Sequence, residues 1–419
     1  MRYTVASMNG GPVLLVEPLP GATTAAVGAW IRSGSAHEPA RLAGITHLLE
    51  HLLLRRCGAH TPEAIAELVD SLGGAIDAFT TRDCCAITAH VPAARLAEAA
   101  GLVLDALFDP RPLPDDVDLE QRVIAAEFDL VQDSPAEMAA EKALEACWGD
   151  HPLARPVMGR REVVRALGVD DLVRFHRERF TPDHLVLVVV GAVAEREVRD
   201  WLDRLPQRPG RLPALTAPGW RTGFLLEERE GLEQIYANLV FPGLPSDHED
   251  MMALGVLHQL LGAGNSSRLF RELRDHLGLV YEVDSSIFST AAAGVLEVTF
   301  SCPVRVADRC WSAVLQVLEE VAAGGVGERE VELARQAMAA GLVLGAEGSD
   351  ALMAAHAGEL LGRQRRFDAA LLQRELDAVT VARVRSLAAE VLRLDALAGA
   401  VCGPHGGALL PASLARSVA

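Results

Sequence analysis

The sequence predicts an α+β fold in which one α+β unit occurs twice. The helical segment 44–51 has a counterpart of similar pattern within 254–262, displaced by 211 residues. A helix followed by a strand ends at Gly191, and the same arrangement ends at Gly403, 212 residues later. Two independent matches at nearly the same offset indicate a duplicated unit.

A proline-rich segment separates the two halves. Between Leu205 and Gly219, four of the 22 prolines fall within fifteen residues. Such a density is typical of a linker. We therefore predict a first domain over 1–205, a linker over 206–219 and a second domain over 220–419. With 419 residues, 50% of them hydrophobic, the chain can bury large cores in both domains.

The elements of the first half follow from hydrophobic periodicity and from turn and capping residues. Thr61 is placed to cap a helix with Pro62 in its first turn, and Ser134 begins a segment that has the form of a capping box. In chain order we predict strands over 12–18 and 24–33, helices over 44–55 and from Thr61 to Gly73, a strand pair over 75–91, helices over 95–108, over 119–131, from Ser134 and over 169–179, and a buried strand over 185–193.

Charge and composition exclude several classes of partner. The chain has 39 Lys and Arg against 57 Asp and Glu, a net charge of −18, and no basic tract. We therefore expect neither a nucleic-acid partner nor an acidic membrane surface. The first ten residues lack the pattern of a secretory signal, and the longest apolar stretch is about half of what a bilayer span needs. With seven cysteines and no regular framework or CxxC pair, we expect a cytoplasmic protein with reduced, buried thiols.

The segment from His47 to His51 carries the sharpest chemical signal. The two histidines stand at i and i+4 and project from one helix face, so both imidazoles can reach one metal ion. Glu50 lies on the same turn and could take a proton from water beside that metal. In the second copy Leu261 replaces Glu50 and Gly262 replaces His51. The alternative is an amphipathic helix with two incidental histidines.

A catalytic zinc site needs a third protein ligand. The helix over 119–131 offers Glu120 and Glu127, seven residues apart and so on one face. The residues between them are largely apolar, and a carboxylate on an apolar helix needs a partner such as a metal. Read alone, the two could also be ordinary surface glutamates.

The HxxEH pattern at 47–51 resembles the inverzincin signature of the pitrilysin-type, or insulinase, superfamily of zinc peptidases. In that family a glutamate about 76 residues further on completes the zinc site, which corresponds to Glu127, and an acid seven residues earlier corresponds to Glu120. The resemblance implies one Zn²⁺ per chain on His47, His51 and Glu127. It also implies Glu50 as general base and Glu120 as a carboxylate that orients a ligand.

Two further segments carry the resemblance over nearly the whole chain. Residues 73–80 resemble the family's GGxxNAxT edge strand, which receives the substrate as an added strand, and this implies substrate binding by Asp77, Ala78 and Phe79. Asp77 stands where the family usually has Asn. Residues 266–281 resemble the pattern SSRLxxxLR…GLxY, which implies that Arg274 and Tyr281 hold substrate carbonyls. After the zinc helix the chain departs from the family's usual Lys-Gly-Thr turn, with Arg55 and Arg56 in that region.

The resemblance also implies an architecture and an assembly. Each domain is expected to be an α/β sandwich, a mostly antiparallel sheet with helices packed on one face, with the zinc-binding catalytic domain first and a homologous domain without a metal second. The family closes four such domains into a clamshell, so a two-domain chain implies a homodimer or a heterodimer with a paralogous subunit. In this short form, related to mitochondrial-processing-peptidase-like bacterial proteins, we expect a zinc-dependent endopeptidase that hydrolyses unfolded peptides or peptide precursors inside a dimeric chamber.

Two alternatives to this activity remain. One is a non-catalytic or partner-dependent subunit of a heterodimeric processing peptidase. The other is a module with a purely structural zinc, which the three-ligand set disfavours because a structural site would normally close the fourth position.

Overall fold

The structure is a computed structural model that describes residues 4–7, 11–203, 205–206, 208–405 and 409–414. Within these residues the chain forms two compact units, each assembled from three segments. The first comprises Met1–Phe128, Pro156–Leu215 and Gly345–Phe367, and the second comprises Asp129–Arg155, Thr216–Leu344 and Asp368–Ala419. These units differ from the continuous domains 1–205 and 220–419 of the sequence prediction, because a helical segment of each half belongs to the unit built mainly from the other half.

The first unit contains a six-stranded sheet. Its strands are β1 Thr4–Ser7, β2 Val13–Pro18, β3 Thr24–Ile31, β4 Ala75–Thr80, β5 Cys85–Pro92 and β6 Leu185–Gly191. The order across the sheet is β1-β2-β6-β3-β5-β4; β2 and β6 are parallel and the other neighbours are antiparallel. β4 therefore lies at an edge, with β5 as its one partner among the described strands.

The second unit repeats this topology in five strands. They are β7 Gly223–Glu228, β8 Gln234–Pro242, β9 Val283–Ser289, β10 Gly294–Pro303 and β11 Ala398–Gly403. The order β7-β11-β8-β10-β9 matches β2-β6-β3-β5-β4, and the parallel pair, β7 with β11, occupies the same place. The predicted α+β fold of two homologous, mostly antiparallel sheets is confirmed.

Fourteen α-helices accompany the sheets in the described part of the chain. In chain order they are α1 Ile45–Leu53, α2 Pro62–Leu72, α3 Leu96–Phe108, α4 Pro114–Asp133, α5 Pro135–Trp148, α6 Arg161–Ala166, α7 Val169–Arg179, α8 Glu195–Leu202, α9 Met251–Leu261, α10 Ala307–Ala322, α11 Glu328–Leu344, α12 Ser349–Arg363, α13 Ala369–Asp377 and α14 Val381–Val391.

Local capping signals explain several helix ends. The Thr61 hydroxyl accepts a hydrogen bond from the Ala64 amide, and the Ser134 hydroxyl accepts one from the Glu137 amide, as predicted. α4 begins at Pro114, five residues before the predicted start. A proline at the first helical position and two aspartates in the first turn favour that earlier start, and the prediction overlooked them.

Helices cover both faces of the first sheet. One face packs against α1, α2, α3 and α7 in a large apolar core. The other packs against α12, whose Met353 and Ala357 contact a smaller core around Trp30 and Val188. α12 is further joined to β2 by a contact between His356 and Glu17. The sandwich thus has its predicted helical face and, in addition, one helix from the second half of the chain on the opposite face.

The second unit likewise includes a helix from the other half of the chain. α5, from the first half of the chain, packs against β7, β8 and β11. All seven cysteines are free and buried, in line with the prediction for their thiols. Across the described residues, no helix combines the length and the apolar character that crossing a membrane requires.

Candidate metal centre

The helix α1 presents an apolar face to the core and a polar face away from it. Ile45, Leu48 and Leu52 are fully buried in the first core, while His47 and His51 are only partly buried. The helix begins after Gly44, which has a left-handed φ of 97°. A Cβ at that position would lie 2.4 Å from the Met158 carbonyl oxygen, so only glycine fits there.

The structure brings His47, His51 and Glu127 together. Their donor atoms all lie within 4.8 Å of one another. Nε2 of His47 is 3.7 Å from one carboxylate oxygen of Glu127, and Nε2 of His51 is 3.5 Å from the other. Two imidazole nitrogens and a carboxylate form the donor set of an open, three-ligand zinc site.

The protonation pattern around these donors suits a cation. Nδ1 of His51 lies 3.2 Å from the buried carboxylate of Glu120. With the His51 proton on Nδ1, the Nε2 lone pair faces Glu127, which is the usual arrangement of a metal-binding histidine. Burial lowers the pKa of His47 to about 4, and the nearby charge of His51 adds to this effect, so its imidazole is neutral and can donate a lone pair.

Glu50 lies beside this cluster, with a carboxylate oxygen 4.0 Å from Nε2 of His47. Burial raises the pKa of Glu50 to about 7. The charge of His51 opposes this rise, whereas the negative charges of Glu127 and Asp77 add to it. A carboxylate with a pKa near neutrality is suited to accept and return a proton.

Sequence reasoning missed the ion pairs behind Glu120. Nε of Arg55 lies 3.8 Å from Glu120 and 3.5 Å from the buried Asp116, and Nε of Arg56 lies 3.2 Å from Asp116. The arginines that depart from the family pattern therefore help to hold the carboxylate that contacts His51. Helical spacing carried a signal for them, because Arg55 follows His51 by four residues and Asp116 precedes Glu120 by four.

The residues of the predicted substrate strand all lie in the edge strand β4. Asp77 is exposed, and it is near enough to influence the pKa of Glu50. Ala78 packs toward the core that contains α1, whereas Phe79 packs toward the core under α12. Their role in binding substrate stays a prediction.

Arg274 and Tyr281 belong to the second unit, where they contact each other. The guanidinium of Arg274 stacks 5.1 Å from the ring centre of Tyr281 and 4.7 Å from that of Phe270. Tyr281 is 75% exposed, which is unusual for a large aromatic side chain. The structure thus pairs the two residues, and their contact with substrate stays a prediction.

The second unit has no comparable cluster of His, Cys, Asp and Glu among the residues that the structure describes. In α9 only His258 remains of the pattern, at the position that corresponds to His47. Its Nδ1 lies 2.8 Å from the hydroxyl of Ser285 on β9. A hydrogen bond to serine has thus taken the place of the cluster.

Two family models match the chain in sequence. The model described as Insulinase (Peptidase family M16) covers residues 13–161, and the model described as Peptidase M16 inactive domain covers residues 166–338. Among relatives, an uncharacterized zinc protease of Mycobacterium leprae is 35% identical over 411 residues, 95% of this chain and 91% of that protein. An uncharacterized zinc protease of Bacillus subtilis is 28% identical over 410 residues, 97% of this chain and 98% of that protein.

Solved structures show the same fold. The structure of a peptidase M16 inactive domain from Pseudomonas fluorescens matches with a TM-score of 0.90 and 18% identity, covering 98% of this chain and all of that one. A protease from Helicobacter pylori matches with a TM-score of 0.88 and 20% identity, covering 96% of this chain and all of that one.

Proposed function

The chain belongs to the insulinase family, peptidase family M16, and on that premise we propose that it is a zinc-dependent endopeptidase. The observation that carries the proposal is the convergence of His47, His51 and Glu127 beside Glu50. Two relatives that are named as zinc proteases support the same activity.

The residues of α1 and α4 fit a catalytic zinc ion. Such an ion, held by His47, His51 and Glu127, would supply Lewis acidity that acidifies water and polarises a peptide carbonyl. Glu50 takes up the proton of the attacking water and delivers it to the leaving amine. Glu120 keeps His51 in the tautomer that leaves its Nε2 free.

The proposed substrate is an unfolded peptide or a peptide precursor. β4 has an unpaired edge among the described strands, and an extended peptide can add to such an edge through backbone hydrogen bonds. Asp77, Ala78 and Phe79 would contact this peptide. We assign Arg274 and Tyr281 to substrate carbonyls, which the exposure of Tyr281 allows.

We further propose that the chain works as a dimer that encloses the peptide, either a homodimer or a heterodimer with a paralogous subunit. This rests on the family resemblance. We place the protein in the cytoplasm, where its seven free, buried cysteines would stay reduced.

A second candidate is a non-catalytic or partner-dependent subunit. The match of residues 166–338 to an inactive-domain model favours it. That match lies mostly in the half that lacks the cluster, however, whereas the half with the complete residue set matches the peptidase model. We therefore place the zinc endopeptidase first.

The deciding experiment is cleavage of a panel of unstructured peptides by the purified chain, with and without a chelator, beside Glu50→Gln. We expect cleavage that is lost in both controls while Glu50→Gln still binds about one zinc per chain. Exposed Glu63, in the first turn of α2, provides the matched control Glu63→Gln, which should cleave normally. Bound zinc without cleavage would favour an obligate heterodimer, and absence of bound zinc would favour the non-catalytic subunit.

A further inference from the structure

The helix that carries His47 and His51 begins without a capping side chain of its own. Its N-cap is Gly44, which the Met158 carbonyl and the left-handed φ require to be glycine. The first amides of a helix have no acceptor within the helix and need one from elsewhere. At most helices a Ser, Thr, Asp or Asn at the N-cap provides it.

Glu38 supplies the missing acceptor. One carboxylate oxygen accepts a hydrogen bond of 2.7 Å from the Gly44 amide, and the other accepts one of 2.7 Å from the Thr46 amide. Glu38 is only 5% exposed. Hydrogen bonds to a carboxylate are short and strong, and a negative charge at a helix N-terminus is favoured by the helix dipole.

The two histidines are held in different ways. His51 lies in the second turn, and the Glu120 carboxylate contacts its ring. His47 lies in the first turn, directly after Thr46, and its Nδ1 has no hydrogen-bond partner among the described residues. The direction of the His47 ring therefore depends on the backbone of a helix end, where fraying is common.

We propose that Glu38 is the positioning residue for His47, and that it fixes the first turn of α1 so that Nε2 of His47 meets Nε2 of His51 and Glu127. This inference rests on the proposed zinc site. Glu38 acts through the backbone amides of Gly44 and Thr46.

The loop that carries Glu38 is itself anchored beside β4. A single 3₁₀ turn, Ser35–His37, precedes Glu38. The Ser35 amide donates to the Thr81 carbonyl and the Ala36 amide donates to the Arg82 carbonyl, each at 3.0 Å. Thr81 and Arg82 form the turn that joins β4 to β5. The loop that carries the Glu38 carboxylate is thus hydrogen-bonded to the turn at the end of β4, the proposed substrate strand. One loop therefore fixes both this strand and the start of α1.

The second unit provides the matched control. α9 begins at Met251, so Gly255, which corresponds to Gly44, lies inside the helix. The residue before α9 is Asp250, whose carboxylate binds Arg383 rather than helix amides. Asp250→Asn therefore removes a carboxylate at the start of the corresponding helix without touching α1.

The test measures zinc affinity by competition with a chromogenic chelator for the full chain, Glu38→Gln and Asp250→Asn, with circular dichroism to verify folding. In Glu38→Gln the side-chain NH₂ faces one of the two amides, and we expect the dissociation constant for zinc to rise about 10- to 100-fold. The visible absorption of the Co²⁺-substituted protein should change with it, because the ligand geometry at His47 is altered. Asp250→Asn should stay within about twofold in affinity and keep the Co²⁺ spectrum.

A folded Glu38→Gln with unchanged affinity and spectrum would overturn the proposal, and so would an equal loss of affinity in Asp250→Asn. If Glu38→Gln does not fold, Glu38→Asp replaces it, since one methylene less prevents the carboxylate from reaching both amides. Absence of zinc binding by the unsubstituted chain would instead remove the proposed function, and this inference with it.

Discussion

The helices α1 and α9 occupy the same place in two sheets of the same topology, yet they are built for different tasks. α1 carries His47, Glu50 and His51 on its polar face and meets the carboxylates of α4. α9 keeps one histidine and packs against α11, which buries Val331 and Ala334 and places Met338 beside Gly255.

The difference shows what a metal-type cluster demands of its surroundings. Half-buried histidines and glutamates need partners, because unpaired polar groups are costly away from water. The first unit meets this demand with a set of carboxylates and arginines around α4. In the second unit His258 is hydrogen-bonded to Ser285, and the helix otherwise packs into an apolar core.

We expect the largest effect from a comparison of substitutions at His47 and His258, which occupy corresponding positions in α1 and α9. We expect His47→Ala to abolish stoichiometric zinc binding and to lower peptidase activity by about a thousandfold or more, because a ligand is lost. His258→Ala should leave both within about twofold and cost only about 1 kcal/mol of stability for its hydrogen bond. Zinc analysis, peptide cleavage and thermal unfolding measure the pair. Similar losses in both variants would contradict the division of tasks.

Removing the metal should affect the two helices unequally. When free zinc exceeds its dissociation constant about 1,000-fold, bound zinc stabilises the native state by about 4 kcal/mol. Chelation should therefore increase the rate of amide hydrogen exchange in α1 roughly 100- to 1,000-fold and leave the exchange rate in α9 unchanged. Mass-spectrometric exchange with and without chelator resolves both helices, and a uniform change would count against a site confined to the first unit.

The ionisation of Glu50 predicts that, without metal, the unfolding free energies of the unsubstituted chain and of Glu50→Gln differ by an amount that depends on pH. Because burial raises its pKa from an ordinary 4.5 to about 7, the folded state binds this proton more tightly than the unfolded state. The stability that Glu50 contributes is therefore present below about pH 4.5 and is lost as the pH rises toward 7. Glu50→Gln should exceed the unsubstituted chain in unfolding free energy by about 3 kcal/mol at pH 8 and equal it at pH 4.5.

Denaturant unfolding of the two chelated proteins at both pH values measures this difference. His47 is present in both proteins, so its own titration largely cancels. Equal stability at pH 8 would mean that the Glu50 carboxylate is not desolvated in solution.

We expect the smallest effect from a comparison of substitutions at Glu120, on α4, and Glu332, on α11. Glu120→Gln keeps a contact to His51 but removes the charge that favours its Nδ1 proton, and it should weaken zinc binding about tenfold. Glu332, on α11, is exposed; its carboxylate accepts a hydrogen bond of 2.8 Å from the Gln336 amide and lies 3.7 Å from Arg335, so Glu332→Gln should not change zinc affinity measurably. The chelator competition assay tests both, and a loss confined to Glu332→Gln would reverse the assignment.

Local signals in the sequence were sufficient for much of this fold. Thr61 and Ser134 mark helix starts through their own hydroxyls, and Gly73 ends α2 with a φ of 65°. The two sequence matches at nearly the same offset predicted two homologous sheets. The exchange of α5 and α12 was not predictable, because both helices have an ordinary apolar face and nothing local says which sheet that face meets.

The candidate site also contains residues that local spacing predicted and residues that it did not. The i, i+4 spacing of His47 and His51 is a local pattern, and it placed both on one helix face. Glu127 is 35% exposed and shares one helix face with Glu120, and only the family resemblance distinguished the two as ligand and supporting carboxylate. Glu38 was missed because it lies in the loop before α1, outside the helix whose amides it caps. Asp116 was missed although its spacing from Glu120 carried a signal, because its arginine partners lie at the end of another helix.

The exchange of helices has a consequence for how the protein is made. The face of the first sheet around Trp30, Val186 and Val188 is covered by α12, which ends at Arg363. During synthesis on the ribosome the strands of that sheet are all complete by Gly191, more than 150 residues before this cover emerges. The nascent first unit must therefore hold an apolar surface exposed to solvent or to a chaperone for roughly 10 to 30 seconds at elongation rates of about 5–20 residues per second.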